Sequence, residues 1–282
     1  MHLELTDRRW RELRAALDTA TDRFVELLLA CRTPDRQAVG RWTAAETAAH
    51  TAIVADLNAG LLHAPSAPLG LPEVDRFATT TTLGGLAHLN DVALREFPER
   101  SPEAVARRLR AGVSLLLDRS ADLDPLGPAT WLGSAPLPVA SLLAHQLNET
   151  LLHGFDVAQA MSRPWPVPSA EAALAFDLFL VPLLGCDTDR LFGDDAGQGR
   201  RVHVEFRSRH TTPVVLASGG GRVGAEPPGR EVDARVRFEP GALMLVVFRR
   251  KRLVPAVATG RIVASGRRPW AAVTYLRRMR TP

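Results

Sequence analysis

The chain has 282 residues, 46% of them hydrophobic, which is enough to bury real cores in one or two folded domains. With 35 basic and 31 acidic residues the net charge is +4; Lys251 is the only lysine, and FRRKRL (248–253) is the one basic cluster, which argues against a nucleic-acid surface. The most apolar run, 172–186, is interrupted by Asp177 and Pro182 and is too short to span a bilayer, so no membrane is expected either.

The N-terminus is charged and helical in pattern and lacks the apolar core and cleavage site of a secretion signal, so a cytoplasmic location is expected. Trp10, Leu13 and Leu17, then Phe24, Leu27 and Leu28, recur at helical spacing from residue 7. Cys31 and Cys186 lie far apart in apolar contexts, which suits reduced thiols better than a disulfide or a cysteine-based metal site. Thr43 followed three residues later by Glu46 reads as a capping box, starting a second helix over 43–63 with Trp42 just outside it. Further helical segments are expected at 79–97, 102–118 and 137–161, which together suggest a bundle. The step MSRPWPVPS (161–169) ends the last of them, because each proline disfavours continuation, and one more apolar helix is expected at 169–184. After residue 199 the texture changes to short β-rich runs, 201–206, 213–217 and 231–240, separated by glycine-rich turns such as SGGGR (218–222). Two helical segments, 241–250 and 268–279, complete a smaller α+β module. The fold class is therefore α+β, with a helical bundle over 1–165, a connecting helix and linker over 166–198, and the α+β domain over 199–282.

Two stretches carry candidate chemistry. In LLAHQLNETLLHGFD (142–156), His145, Glu149 and His153 fall on one stripe of a helix, with Asp156 beside them. That geometry permits chelation without requiring it, since such pairs are also common helix-face neighbours. In GRWTAAETAAHTAIVADLNAGLL (40–62), His50 shares a face with Ile53, Val54, Leu57 and Leu61, so it points inward, as a hydrogen-bonded core histidine or as a ligand. Glu46 with His50, and His145 with Glu149, also have chelate spacing and are rival ligand pairs. Arg249 and Arg250 could pair with a substrate carboxylate or neutralise a helix C-terminus.

The pairing of WTAAETAAH near the start of the bundle with NETLLHGFDVAQAMSRPWPVP near its end resembles the mycothiol-dependent maleylpyruvate isomerase family. The resemblance implies a DinB-like four-helix bundle followed by a sterol-carrier-like domain, the latter on GALMLVVFRR and TGRIVASGRRPWAAVTYL. It also implies that His50, Glu149 and His153 are zinc ligands and that Asp156 is the acidic residue that follows them. Lying three residues beyond His153 on the helix, Asp156 is expected either to accept from an imidazole N–H behind the ligands or to anchor substrate or backbone. Many relatives carry arginine or threonine immediately before the glutamate, where Asn148 stands here, a departure that bears on substrate identity. Three ligands with an open fourth position are the pattern of a catalytic zinc. There a low-molecular-weight thiol such as mycothiol would be held as thiolate, to add to a cis enoyl acid and leave again as the trans isomer, or to stay attached in an S-transfer. The expected partners are thus a small electrophile and a thiol, in a monomer or homodimer. A non-catalytic carrier of an apolar ligand and a metal-dependent hydrolase or lyase are the competing classes.

Overall fold

A computed structural model describes residues 5–62, 69–186, 201–219, 222–229 and 231–278. It groups the chain into two compact units, one of residues 4–81 and 85–167 and the other holding 168–282. Residues 187–198 of the expected linker, the tip of the 218–222 turn and residue 279 lie outside the described residues.

The first unit is built on α1 (Asp7–Leu29), α2 (Ala44–Leu61), α5 (Pro102–Arg119) and α6 (Val139–Ala160). Helices α1 and α2 each pack against both α5 and α6, so the four form a ring in the order α1, α5, α2, α6. Thr6 and Ser101 cap α1 and α5, and Thr43 with Glu46 forms a complete capping box on α2. The composition of α2 explains its central place. Ala44, Ala45, Ala48, Ala49, Ala52 and Ala55 keep its girth small, so that neighbouring helices approach closely and nearly every residue is buried. Thr47 and Thr51 would be costly there, but their hydroxyls donate to the carbonyls one turn back, at 2.8 and 2.9 Å.

Between α2 and α5 the helical expectation for 79–97 needs correction. Helix α3 (Pro72–Phe77) and α4 (Leu86–Glu96) stand on either side of a non-helical stretch through Thr80 and Thr81. A run of four threonines, then a leucine and two glycines, has low helix propensity, and it gives way where packing does not support it. Two short hairpins were not anticipated from sequence: β1 (Gln37–Val39) with β2 (Trp42–Thr43), and β3 (Pro128–Trp131) with β4 (Ala135–Pro138).

The second unit begins with α7 (Ser169–Ala175), a π-helical turn over Phe176–Leu180 and α8 (Val181–Gly185). Its five-stranded sheet contains β5 (Val202–Arg207), β6 (Val214–Gly219), β7 (Arg222–Glu226), β8 (Ala234–Phe238) and β9 (Ile262–Ser265), in the order β7, β6, β5, β8, β9. Only the β5–β8 pair is parallel. Helices α9 (Pro240–Val247), α10 (Leu253–Ala258) and α11 (Pro269–Arg278) complete the unit. Phe176, Phe206 and Phe238 form an aromatic cluster, which Tyr275 of α11 joins through Phe206. Phe176, Leu180, Phe206 and Met244 line a small apolar cavity of about 10 Å³. Helix α9 ends at Val247 rather than at residue 250, with Arg249 in the left-handed region at φ 62° and the Arg250 guanidinium donating to the Phe248 carbonyl at 2.8 Å. Among the described residues no helix is long and apolar enough to cross a membrane.

Candidate metal centre

Helix α6 is buried on almost every side, yet it carries His145, Asn148, Glu149, His153 and Asp156 along its length. Such groups must be satisfied largely by one another or by neighbouring helices, because all but the part-exposed Glu149 are buried. Helix α2 supplies the answering groups, His50 and Asn58.

The atoms converge on Glu149. Its Oε2 lies 3.3 Å from His50 Nε2 and 3.2 Å from His153 Nε2. One ligand atom from each of the three lies within 4.8 Å of the others, and among the described residues this is the group of metal-binding side chains that the fold assembles. The two imidazoles stand nearly perpendicular, their centroids 5.0 Å apart, and the Trp42 ring covers them at 4.9 Å from His50 and 6.4 Å from His153. Trp42 is half-exposed where the histidines are buried, so it walls the site toward solvent. On the far side of the His153 ring, Nδ1 meets Asp156 Oδ2 at 3.0 Å. Nε2 is thereby the His153 nitrogen left to face Glu149.

The rival pairs are engaged elsewhere. Glu46 closes the capping box, accepting from the Thr43 backbone N–H at 2.9 Å and its hydroxyl at 3.1 Å. His145 has Nδ1 against the Trp131 indole N–H at 3.2 Å and Asn58 Oδ1 at 3.1 Å. Its Nε2 stands 3.8 Å from Glu149 Oε1, outside the converging group. The network continues from Asn58 Nδ2 to Gln146 Oε1 at 3.2 Å, so a polar seam ties α2 to α6 below the centre. Trp131 and Asn58 were missed in the sequence. Trp131 lies on an unanticipated hairpin, and Asn58 shares a helix face with His50 only through the eight-residue spacing between them.

Charge follows the geometry. Burial alone would push the Glu149 carboxyl up, but hydrogen bonds from His153 and His50 reverse this and hold it well below the usual carboxylate range. Burial likewise opposes a charge on His153, yet Asp156 and Glu149 raise it to about 9. Burial lowers His145 to about 4, with Glu149 opposing, so that imidazole is neutral. In the metal-free protein a positive charge beside Glu149 thus resides on His153, where a divalent cation would otherwise supply it. Two imidazole nitrogens and one carboxylate oxygen are a donor set that fits zinc, with ligand positions left over.

The family model of the mycothiol maleylpyruvate isomerase N-terminal domain matches residues 3–158. The chain belongs to this family. Membership implies an enzyme, and all the residues of the centre fall inside the matched span. Among solved structures, the mycothiol-dependent maleylpyruvate isomerase is 12% identical, with a TM-score of 0.48 over 84% of this chain and 87% of that one. A variant of a mycothiol-dependent maleylpyruvate isomerase in which a histidine is replaced by alanine is 11% identical, with a TM-score of 0.49 over 91% and 92%. The stereoselective inverting sec-alkylsulfatase Pisa1 from Pseudomonas sp. is 16% identical, with a TM-score of 0.32 over 61% of this chain and 28% of that one. No curated protein matches the chain.

Proposed function

We propose that this family member is a zinc-dependent enzyme that activates a low-molecular-weight thiol, mycothiol or a relative of it. Its reaction is the cis–trans isomerisation of a small electrophilic enoyl acid, or transfer of the thiol to one. The observation that carries the reading is the convergence of His50 Nε2, Glu149 Oε2 and His153 Nε2 in a buried pocket of the bundle. A divalent metal bound there would supply the positive charge that keeps a thiol in its reactive thiolate form.

The chain's own residues set the conditions for that chemistry. His50 and His153 present neutral nitrogen donors once a metal has displaced their protons, and Glu149 brings the one formal negative charge in the set. Asp156 accepts from His153 Nδ1, which fixes the tautomer and aims Nε2 inward. Trp42 excludes water from one side and offers a flat ring edge against which a planar conjugated acid can lie. The neutral His145 behind the carboxylate adds no competing charge. On the same reading the sheet-bearing unit is a sterol-carrier-like module, domain boundaries fall near residues 165 and 199, and the enzyme works in the cytoplasm, where thiols stay reduced.

The test pairs metal content with turnover. Purified wild-type protein is expected to hold about one zinc per chain and to consume a cis enoyl acid only when thiol is present. Glu149→Gln keeps the size and helix propensity of the side chain but weakens the oxygen ligand and changes the charge. Zinc occupancy and thiol-dependent rate should fall together in it, while the melting temperature changes little. An unchanged rate in chelator-stripped protein would overturn the metal reading, and turnover without any thiol would move the enzyme to the metal-dependent hydrolases.

A further inference from the structure

Glu149 has two carboxylate oxygens, and Oε2 is the one that faces His50, at 3.3 Å, and His153, at 3.2 Å. Oε1 is turned to the side chain of Asn148, whose Nδ2 donates to it at 3.3 Å, while His145 Nε2 stands farther off at 3.8 Å. Asn148 is fully buried, and its own Oδ1 has no hydrogen-bond partner among the described residues. A buried acceptor left unpaired destabilises a fold, whereas an apolar side chain of the same shape would not. Packing therefore does not account for an amide at position 148. The direction of the amide follows from its neighbour: rotated by half a turn, it would set an amide oxygen against a carboxylate oxygen.

We infer that Asn148 is a positioning residue, holding Oε1 of Glu149 so that Oε2 alone is presented between His50 and His153. This rests on the reading of those three side chains as metal ligands. The terminal torsion of a glutamate is broad and two-fold, so an unrestrained carboxylate would exchange its oxygens or share both with the cation. One donor on Oε1 removes that freedom before the metal arrives. The orphaned Oδ1 is the structural cost of placing the donor there, since an asparagine amide cannot bring Nδ2 without its oxygen.

The experiment measures zinc affinity by competition with a chelator, and the melting temperature of the metal-free protein, for the full chain and two variants. Asn148→Leu removes the donor and the orphaned acceptor together at similar volume; Asn148→Thr keeps one donor on a smaller side chain. The expected result for the leucine variant is zinc affinity weakened by about 10 to 100-fold with a metal-free melting temperature equal to or above wild type. The threonine variant should fall between it and wild type in affinity. A purely structural asparagine would move the two measurements in the same direction. Wild-type zinc affinity in Asn148→Leu, or a loss of affinity matched by a lowered metal-free melting temperature, overturns the inference and leaves the metal reading standing. A wild-type protein that binds no zinc overturns the metal reading, and this inference with it.

Discussion

Gly154 lies beside the candidate metal centre on α6, and replacing it with alanine isolates one contact of the bundle. A Cβ there would sit 2.2, 2.4 and 2.8 Å from Cζ2, Cε2 and Cη2 of Trp165. Carbon atoms in contact prefer about 3.5 to 4.0 Å, so the indole must withdraw by more than about 1 Å. It is not free to do so. Its Nε1 donates to the Leu151 carbonyl at 3.0 Å, the Arg23 guanidinium lies 5.2 Å above its ring, and Phe24 meets its edge at 5.9 Å. Losing that hydrogen bond costs about 0.5–1.5 kcal/mol, and overpacking or the compensating shift costs about 1–3 kcal/mol. Alanine returns about 0.8–1.0 kcal/mol of helix propensity. The loss wins, and Gly154→Ala should destabilise the protein by about 1–3 kcal/mol. Urea unfolding followed by tryptophan fluorescence measures it, with the same substitution made in a Trp165→Leu background. There the clash is absent and alanine should stabilise by up to about 1 kcal/mol. A Gly154→Ala variant as stable as wild type with Trp165 intact would refute the seating of the indole on this glycine.

Two further outcomes come from polar groups outside the centre, one buried and one half-buried. Tyr275 Oη is buried without a hydrogen-bond partner among the described residues, so Tyr275→Phe should stabilise by about 1 kcal/mol or more at neutral pH. Burial raises that phenol above its ordinary 10.0, a shift whose stability is present below the unfolded value and lost as pH rises past it. Alkaline melting curves should therefore show the wild type falling further behind the Tyr275→Phe variant above about pH 10, and parallel curves would contradict this. Arg108 Nε holds Asp56 Oδ2 at 2.7 Å; burial raises that carboxyl above 3.8, and the arginine opposes the rise. Arg108→Met removes the opposition, so the folded state should favour protonated Asp56 more strongly and its stability should decline as pH rises from about 4 to 7. The deficit at neutral pH should be about 1–3 kcal/mol, between exposed and buried ion pairs. A deficit equal at pH 4 and pH 7 would show that the arginine acts through packing alone.

What was legible in the sequence had a periodic or local cause. Leu13, Leu17 and Phe24 repeat at helical spacing because α1 has one buried face, and all three are fully buried. The Thr43–Glu46 box is a local hydrogen-bond pattern, so four residues sufficed to place the start of α2. Strands β7 and β9 escaped for the opposite reason. RVGAE and IVAS are short edge segments whose pairing is decided by β6 and β8, far away in sequence. The π-helical turn at Phe176–Leu180 leaves no signal in a pattern read at 3.6 residues per turn. At the centre, the stripe His145, Glu149, His153 was visible from spacing, but spacing could not choose among its members. The choice depends on Trp131 and Asn58 meeting His145 Nδ1, and both come from other elements.

That dependence explains why so polar a helix can stand inside the bundle. Helix α6 has leucines at 142, 143, 147, 151 and 152 that are at most 2% exposed, and each such side chain contributes roughly 1.5–3 kcal/mol of burial. The polar residues between them would offset much of this if left unpaired. They are paired instead with one another and with neighbouring elements: His153 with Asp156 and Glu149, His145 with the Trp131 indole N–H, and Gln146 with Asn58, Thr150 and the Thr51 carbonyl. The leucines can thus hold the helix in place while the polar groups keep a fixed geometry, and the alanines of α2 bring the facing helix close enough to complete it. Substitutions at the centre should accordingly change ligand binding more than folding, whereas the Trp165 seat and the leucines should change folding more than ligand binding.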